Sequence, residues 1–217
     1  MLPGHVQSAP TNTKGFDANT RIASVAVAQA FHQSGYRFCL RYLSHNPHQG
    51  SGDLSTAEAI HILQGGLALM PVQHVRQPGW TPNQGLGTQD GQFAVQHANA
   101  VGFPPGVNVW CDLEGVANNV NAQDVIDYCN AWYDAVKGAG FVPGIYVGAN
   151  AILTGQQLFQ RLKFQHYWKS LSHVPPIPVR GYQMIQTGVA GTVHGIAIDA
   201  DMTQTDQKGG QAQWLVI

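Results

Sequence analysis

Trp110-Cys111-Asp112-Leu113-Glu114-Gly115 sets two carboxylates two residues apart at the end of the apolar run 107–113, in a chain of which only 11% of residues are charged. Side chains at i and i+2 of a strand share one face, so Asp112 and Glu114 point the same way from the strand's C-terminal tip. Alone, such a pair is more often a surface turn or a lone metal contact than a centre of proton chemistry. The surroundings decide.

Upstream, Gly15-Phe16-Asp17 reads as a strand, and residues 21–34 carry apolar side chains at helical spacing until Gly35 stops them. A short strand at 38–42 follows, then Ser55-x-x-Glu58 as a capping box opening a helix that ends at Gly65-Gly66. The alternation continues with a strand at 67–75, a helix at 92–101, the strand at 107–113 and a long helix capped by Asn121. A strand at 142–147, a helix near 156–162 and three short strands near Tyr167, 181–186 and 195–202 complete it. Residues 76–91, with Trp80 among Gly and Pro, read as a long loop bordering a cleft, and Gly85-Leu86-Gly87 within it as flexibility.

Eight strands mostly separated by helices in 217 residues argue for an α/β fold, a (β/α)₈ TIM-like barrel with shortened or missing helices in its C-terminal part. A doubly wound open sheet is the competitor. Carboxylates end the first strand (Asp17), the fourth (Asp112, Glu114) and the eighth (Asp199, Asp201), and a barrel brings such ends together whereas an open sheet leaves its first and last strands apart. Residues 1–13 read as a polar leader and 14–217 as one domain, with 44% hydrophobic residues for its core.

Composition narrows the function classes. Eleven Lys and Arg against 12 Asp and Glu, without a run of either sign, argue against a nucleic-acid partner. No stretch is long and apolar enough to span a membrane, and the start lacks an export signal's pattern, so a soluble protein made in the cytoplasm is expected. Cys39, Cys111 and Cys129 read as buried thiols. His45 and His48 share a loop but form no H-E-x-x-H, so no metal is expected, and no cofactor. The G-x-S-x-G turn of serine hydrolases is absent.

The order of these marks resembles the glycoside-hydrolase-like domain of unknown function related to the family twenty-five lysozymes. The resemblance covers about residues 14–203. It rests on Gly15-Phe16-Asp17, Arg41-Tyr42-Leu43, Leu54-Ser55-x-x-Glu58, Ala68 to Val72, Trp110-x-Asp112-Leu113-Glu114, Gly144-Ile145-Tyr146, Tyr182-Gln183 and Ile198-Asp199-x-Asp201. Arg41-Tyr42-Leu43 belongs more to the uncharacterised relatives than to the lysozymes. The resemblance implies Glu114 as general acid, Asp17 and Asp112 as positioning or charge-stabilising groups, and Asp199 as the rest of an acidic floor.

The residues independently support that chemistry. Glycoside cleavage needs one protonated carboxyl for the leaving oxygen and one anionic carboxyl for the oxocarbenium-like transition state. Like-charge neighbours and an aromatic mouth would raise the pKa of Glu114. Tyr42, Trp80, Tyr146, Trp110 and Trp168 offer faces for sugar rings, and Gln73, His74 and Gln183 hydrogen bonds at strand ends. Singly, each aromatic is equally a core residue. Three readings stand: a lysozyme-like hydrolase of peptidoglycan or a related aminosugar polymer, a non-catalytic carbohydrate-binding barrel, and a wall-modifying transglycosylase. A wall substrate would require non-classical export or lysis; a secretion-machine or immunity partner is left open.

Overall fold

The computed structural model describes the backbone of residues 1–217 and every side chain except those at 189 and 190. After β1 (His5–Ser8), the chain runs β2 (Lys14–Ala18), α1 (Val25–Gln33), β3 (Phe38–Leu43), α2 (Thr56–Gln64), β4 (Ala68–Gln73), α3 (Gln84–Val101) and β5 (Asn108–Leu113). It continues with α4 (Ala122–Gly138), β6 (Val142–Val147), α5 (Gly155–Arg161), β7 (His166–Lys169), β8 (Met184–Val193), β9 (Ile196–Thr203) and β10 (Gln213–Val216). Strands β2 to β9 close an eight-stranded barrel, and no helix follows β7 or β8. The expected barrel with C-terminal helices missing is the fold observed.

One strand runs against the expectation. β9 pairs antiparallel with both β8 and β2, whereas the other barrel strands run parallel. Asp199 therefore faces Asp17 from the middle of β9, and Asp201, opposite Gly15, lies one step deeper; neither ends its strand at the mouth. The reversal is possible because β8 and β9 are joined directly through His194 and Gly195, both at positive φ, a turn that needs no crossover helix.

The expected leader holds β1, which pairs with β10. β10 contacts β4 at Leu215↔Leu69, and its Gln213 N–H donates to the Asn108 side chain on β5 at 2.6 Å. It props a thin seam of the barrel, where β4 and β5 share only Val72↔Trp110 and Gln73↔Cys111.

Between strands and helices lies a buried ion pair. Arg41, outward-facing on β3, donates to Glu58 of α2 at 2.6 Å, and both side chains are fully buried. Arg41 also donates to the Ala18 and Gly52 carbonyls, and Glu58 accepts from the Ile22 N–H. Ser55 does accept from the Glu58 N–H, as half of the expected box, but the Glu58 carboxylate serves Arg41 instead of reaching back to the cap.

α3 begins at Gln84, eight residues before the expected helix at 92, with Asn83 capping the Leu86 N–H. Of the two glycines that suggested a loop, Gly87 is a packing device. A Cβ on Gly87 would lie 2.1 Å from the Tyr128 carbonyl oxygen of α4, so helix propensity yields to close helix–helix approach. Gly87→Ala is expected to cost about 1–3 kcal/mol through overpacking, read as a lowered melting temperature; an unchanged value would deny the contact.

Candidate active site

The barrel interior is stacked in steps set by strand register. Trp110 and Trp168 form the floor, ring centroids 6.0 Å apart, with the Trp110 Nε1–H on Met70 Sδ. One step up, Asp112 lies beside Tyr146 in the β5–β6 register and Asp17 beside Asp199 in the β2–β9 register. Glu114 follows at the tip of β5, half-buried. A recess of about 280 Å³ between the β2 tip and the β8–β9 hairpin is lined by Asp17, Asn19, Tyr42 and Asp199.

Neutral donors hold these acids. Tyr42 Oη–H donates to Asp17 Oδ1 at 3.1 Å, Gln186 Nε2–H to Asp17 Oδ2 at 2.8 Å, and Trp168 Nε1–H to Asp201 Oδ1 at 2.9 Å. Tyr146 Oη–H donates to Gln186 Oε1 at 3.0 Å.

Burial dominates the electrostatics. It pushes the Asp17 carboxyl up to about 6; the Gln186 donor pulls it back, and the charge of Asp199 pushes it further up. Asp112 rises well above the ordinary range from burial, then from the charges of Glu114 and Asp17, and its Oδ1 is without a hydrogen-bond partner among the described atoms. Asp201 rises well above it too, from burial and then from Asp17. Burial alone lifts Glu114 and Asp199. The set thus offers a half-buried carboxyl, Glu114, that burial raises, and a second, Asp17, itself raised to about 6 but supplied with two donors that favour its charged form.

The other expected ligand residues divide. Tyr42 and His74 stack at 4.5 Å, with His74 Nε2 and Asp53 Oδ1 3.0 Å apart, and the half-exposed pair forms a wall beside Asp17. Tyr146 packs edge-on against Trp168, its register neighbour on β7, with ring centroids 4.5 Å apart. Four residues are corrected. Gln73 points outward between strand and helices, where it accepts from Trp132 Nε1–H at 2.7 Å and donates to the Ser44 and Asp90 carbonyls. Gln183 lies before β8, at the floor end, accepting from the Tyr167 N–H and donating to the Gln165 carbonyl and to Asp206. Trp168 is 1% exposed and Trp80 9%, so neither presents a ring to a sugar. Trp80 packs on Tyr128 and donates its Nε1–H to the Glu114 carbonyl at 2.8 Å: the loop it occupies props β5.

Two residues escaped the sequence reading. Gln186, three positions beyond Gln183, is the glutamine that reaches the acids; strand alternation counted from Met184 would have found it. Gly148, just after β6, lies against Glu114, where an added Cβ would stand 2.5 Å from Oε2. A glycine two residues beyond Tyr146, on the same face, was the available signal.

Asp201 gives a stability test. Its folded pKa is raised, so its contribution to stability is complete below about pH 4 and is lost as pH rises toward the folded value. Asp201→Asn keeps an acceptor for Trp168 and removes that loss. Its melting temperature should exceed that of the unsubstituted protein more at pH 7 than at pH 4, by about 2–4 °C or more; a pH-independent difference would count against the burial argument.

Comparison with known proteins places the architecture. Rv2525c of Mycobacterium tuberculosis, a Tat-secreted protein solved with HEPES, superposes with a TM-score of 0.68 at 17% identity, over 92% of this chain and 98% of that one. The catalytic domain of endolysin ply40 from bacteriophage P40 of Listeria monocytogenes gives 0.63 at 16% identity, over 90% and 94%. A family 25 glycosyl hydrolase from Bacillus anthracis gives 0.56 at 12% identity, over 94% of both chains. At such identities the likeness is one of fold. Among curated proteins no sequence matches. The Rv2525c-like, glycoside hydrolase-like domain model matches residues 29–210, and the chain belongs to that family.

Proposed function

We propose that this domain hydrolyses glycosidic bonds in peptidoglycan or a related aminosugar polymer, with Glu114 as general acid and Asp17 as its anionic partner. The observation that carries the reading is the gathering of these carboxyls at one mouth: burial raises the half-buried Glu114 at the β5 tip, while Asp17, itself raised to about 6, receives two hydrogen bonds that favour its charged form. The fold shared with an endolysin catalytic domain and with a muramidase from Trichobolus zukalii, at a TM-score of 0.61, supports the substrate class.

In this reading the Glu114 carboxyl gives its proton to the bridging oxygen as the bond from that oxygen to the anomeric carbon breaks. Positive charge then spreads over the anomeric carbon and ring oxygen, where the Asp17 carboxylate opposes it. Water adds to that carbon and gives up a proton to a carboxylate, leaving two hydroxyl ends. Asp112, protonated behind Glu114, keeps the local charge low. Asp199 sits in the recess beside Asp17, and the Tyr42–His74 stack offers the sugar an apolar wall.

The test is incubation with purified peptidoglycan and mass analysis of released fragments, with Glu114→Gln alongside. Turnover should fall by roughly 10²- to 10⁴-fold in the variant, with glycan affinity and melting temperature retained or slightly raised. An undiminished rate would reject Glu114 as the acid. Saturable binding without wild-type cleavage across several aminosugar polymers would favour the non-catalytic barrel, and products lengthened by sugar acceptors the transglycosylase.

A further inference from the structure

We infer that Gln186 is a positioning residue that makes Asp17 the anion of the site, because its amide is locked with only the NH₂ group able to face Asp17. An amide side chain can in principle be turned over, exchanging its oxygen and nitrogen. Here its neighbours forbid the exchange. The Leu171 backbone N–H lies 3.2 Å from Gln186 Oε1 and can only donate. Tyr146 Oη–H, 3.0 Å away, adds a second donor to the same oxygen. Nε2 therefore faces Asp17 Oδ2 at 2.8 Å. An NH₂ group cannot accept, so Oδ2 must be free of a proton to complete the contact, and any proton on Asp17 is confined to Oδ1, where it displaces the hydrogen bond that Tyr42 donates. Two donors on Oε1 also draw electron density from the amide and strengthen Nε2–H as a donor.

The other groups around Asp17 make this hydrogen bond matter. Asp199 and Asp201 face it from β9 and Tyr42 from β3, and its own charge reaches Asp112 on β5 and Tyr146 on β6. Each acid, when ionised, drives a proton onto Asp17. No described contact to Asp17 comes from a Lys or Arg. Gln186, Tyr42 and a protonated Asp201 are thus the groups that favour its charge, and of these only Gln186 cannot reverse its role, since a hydroxyl or a carboxyl can also accept.

The inference rests on the proposed reaction only for its effect on rate; the charge state of Asp17 can be read without substrate. Carboxyl-carbon NMR of the ¹³C-aspartate-labelled full chain gives the Asp17 titration midpoint directly. Gln186→Met keeps the length and loses both polar atoms. We expect the midpoint to rise by about one pH unit or more, a tenfold gain in proton affinity, the scale on which a single hydrogen bond or nearby charge acts. With a cleavable polymer, the acidic limb of kcat/KM should move by the same amount, with a smaller change in kcat on the plateau. An unmoved midpoint in the folded variant overturns the inference, even if polymer is cleaved. Absence of turnover with a shifted midpoint removes the proposed reaction and leaves the role of Gln186 standing. Should Gln186→Met fail to fold, the unsubstituted protein decides: one Gln186 amide proton should be shifted downfield and follow the Asp17 titration, and a resonance indifferent to it overturns the inference.

Discussion

Burial of carboxyl groups over an aromatic floor is the constraint from which the rest of the mouth follows. Asp17, Asp112, Glu114, Asp199 and Asp201 share one low-dielectric space above Trp110 and Trp168, and burial leads the causes of every upward shift among them. Several adjacent negative charges in such a medium repel strongly, so Asp112 and Asp201 hold protons. Neutral donors, namely a tyrosine, a glutamine and an indole, do the work that cations do elsewhere. The described arginine–carboxylate pairs, Arg41–Glu58, Arg76–Asp90 and Arg180–Asp206, are kept outside the barrel. There they stitch strands to loops and helices and leave the proton distribution of the mouth undisturbed.

The tip of β5 is held from several sides, which suits a group that must meet a substrate atom at a defined place. Trp80 fastens the Glu114 carbonyl, the Gly115 N–H donates to the Ala149 carbonyl at 2.8 Å, and Gly148 gives the carboxyl its room. Behind Trp80, Tyr128 and Arg76 converge on Asp90 of α3. The packing of α3 on α4 is therefore continuous with the position of Glu114, and the helical glycines serve the site at a distance.

Much of this was legible in the chain, for reasons that can be named. The apolar run at 107–113 and the helical stripe after Asn121 each report a local burial preference, so the barrel and the Asp112–Glu114 pair could be read directly. Contacts made across the fold could not. Gly85 and Gly87 signal a loop to any local reading, because what Gly87 avoids is a carbonyl 41 residues away in sequence. Gln73 and Gln183 sit at strand ends like ligand residues, yet one faces the helical layer and the other the floor. The direction of β9 was hidden because a strand's residues do not state which way it runs. The weak alternation of β1 and β10 gave their pairing no local mark.

That last pairing also sets how the domain can be carried. His5 lies opposite Val216 in the β1–β10 ladder, and β10 meets β4 near its first residues, at the floor of the barrel. Both chain ends thus emerge side by side on the face away from the carboxyls. A tether, a second module or a surface attachment joined at either end would orient the mouth outward, and a short peptide bridging the two ends would close the chain into a ring without crossing the cleft.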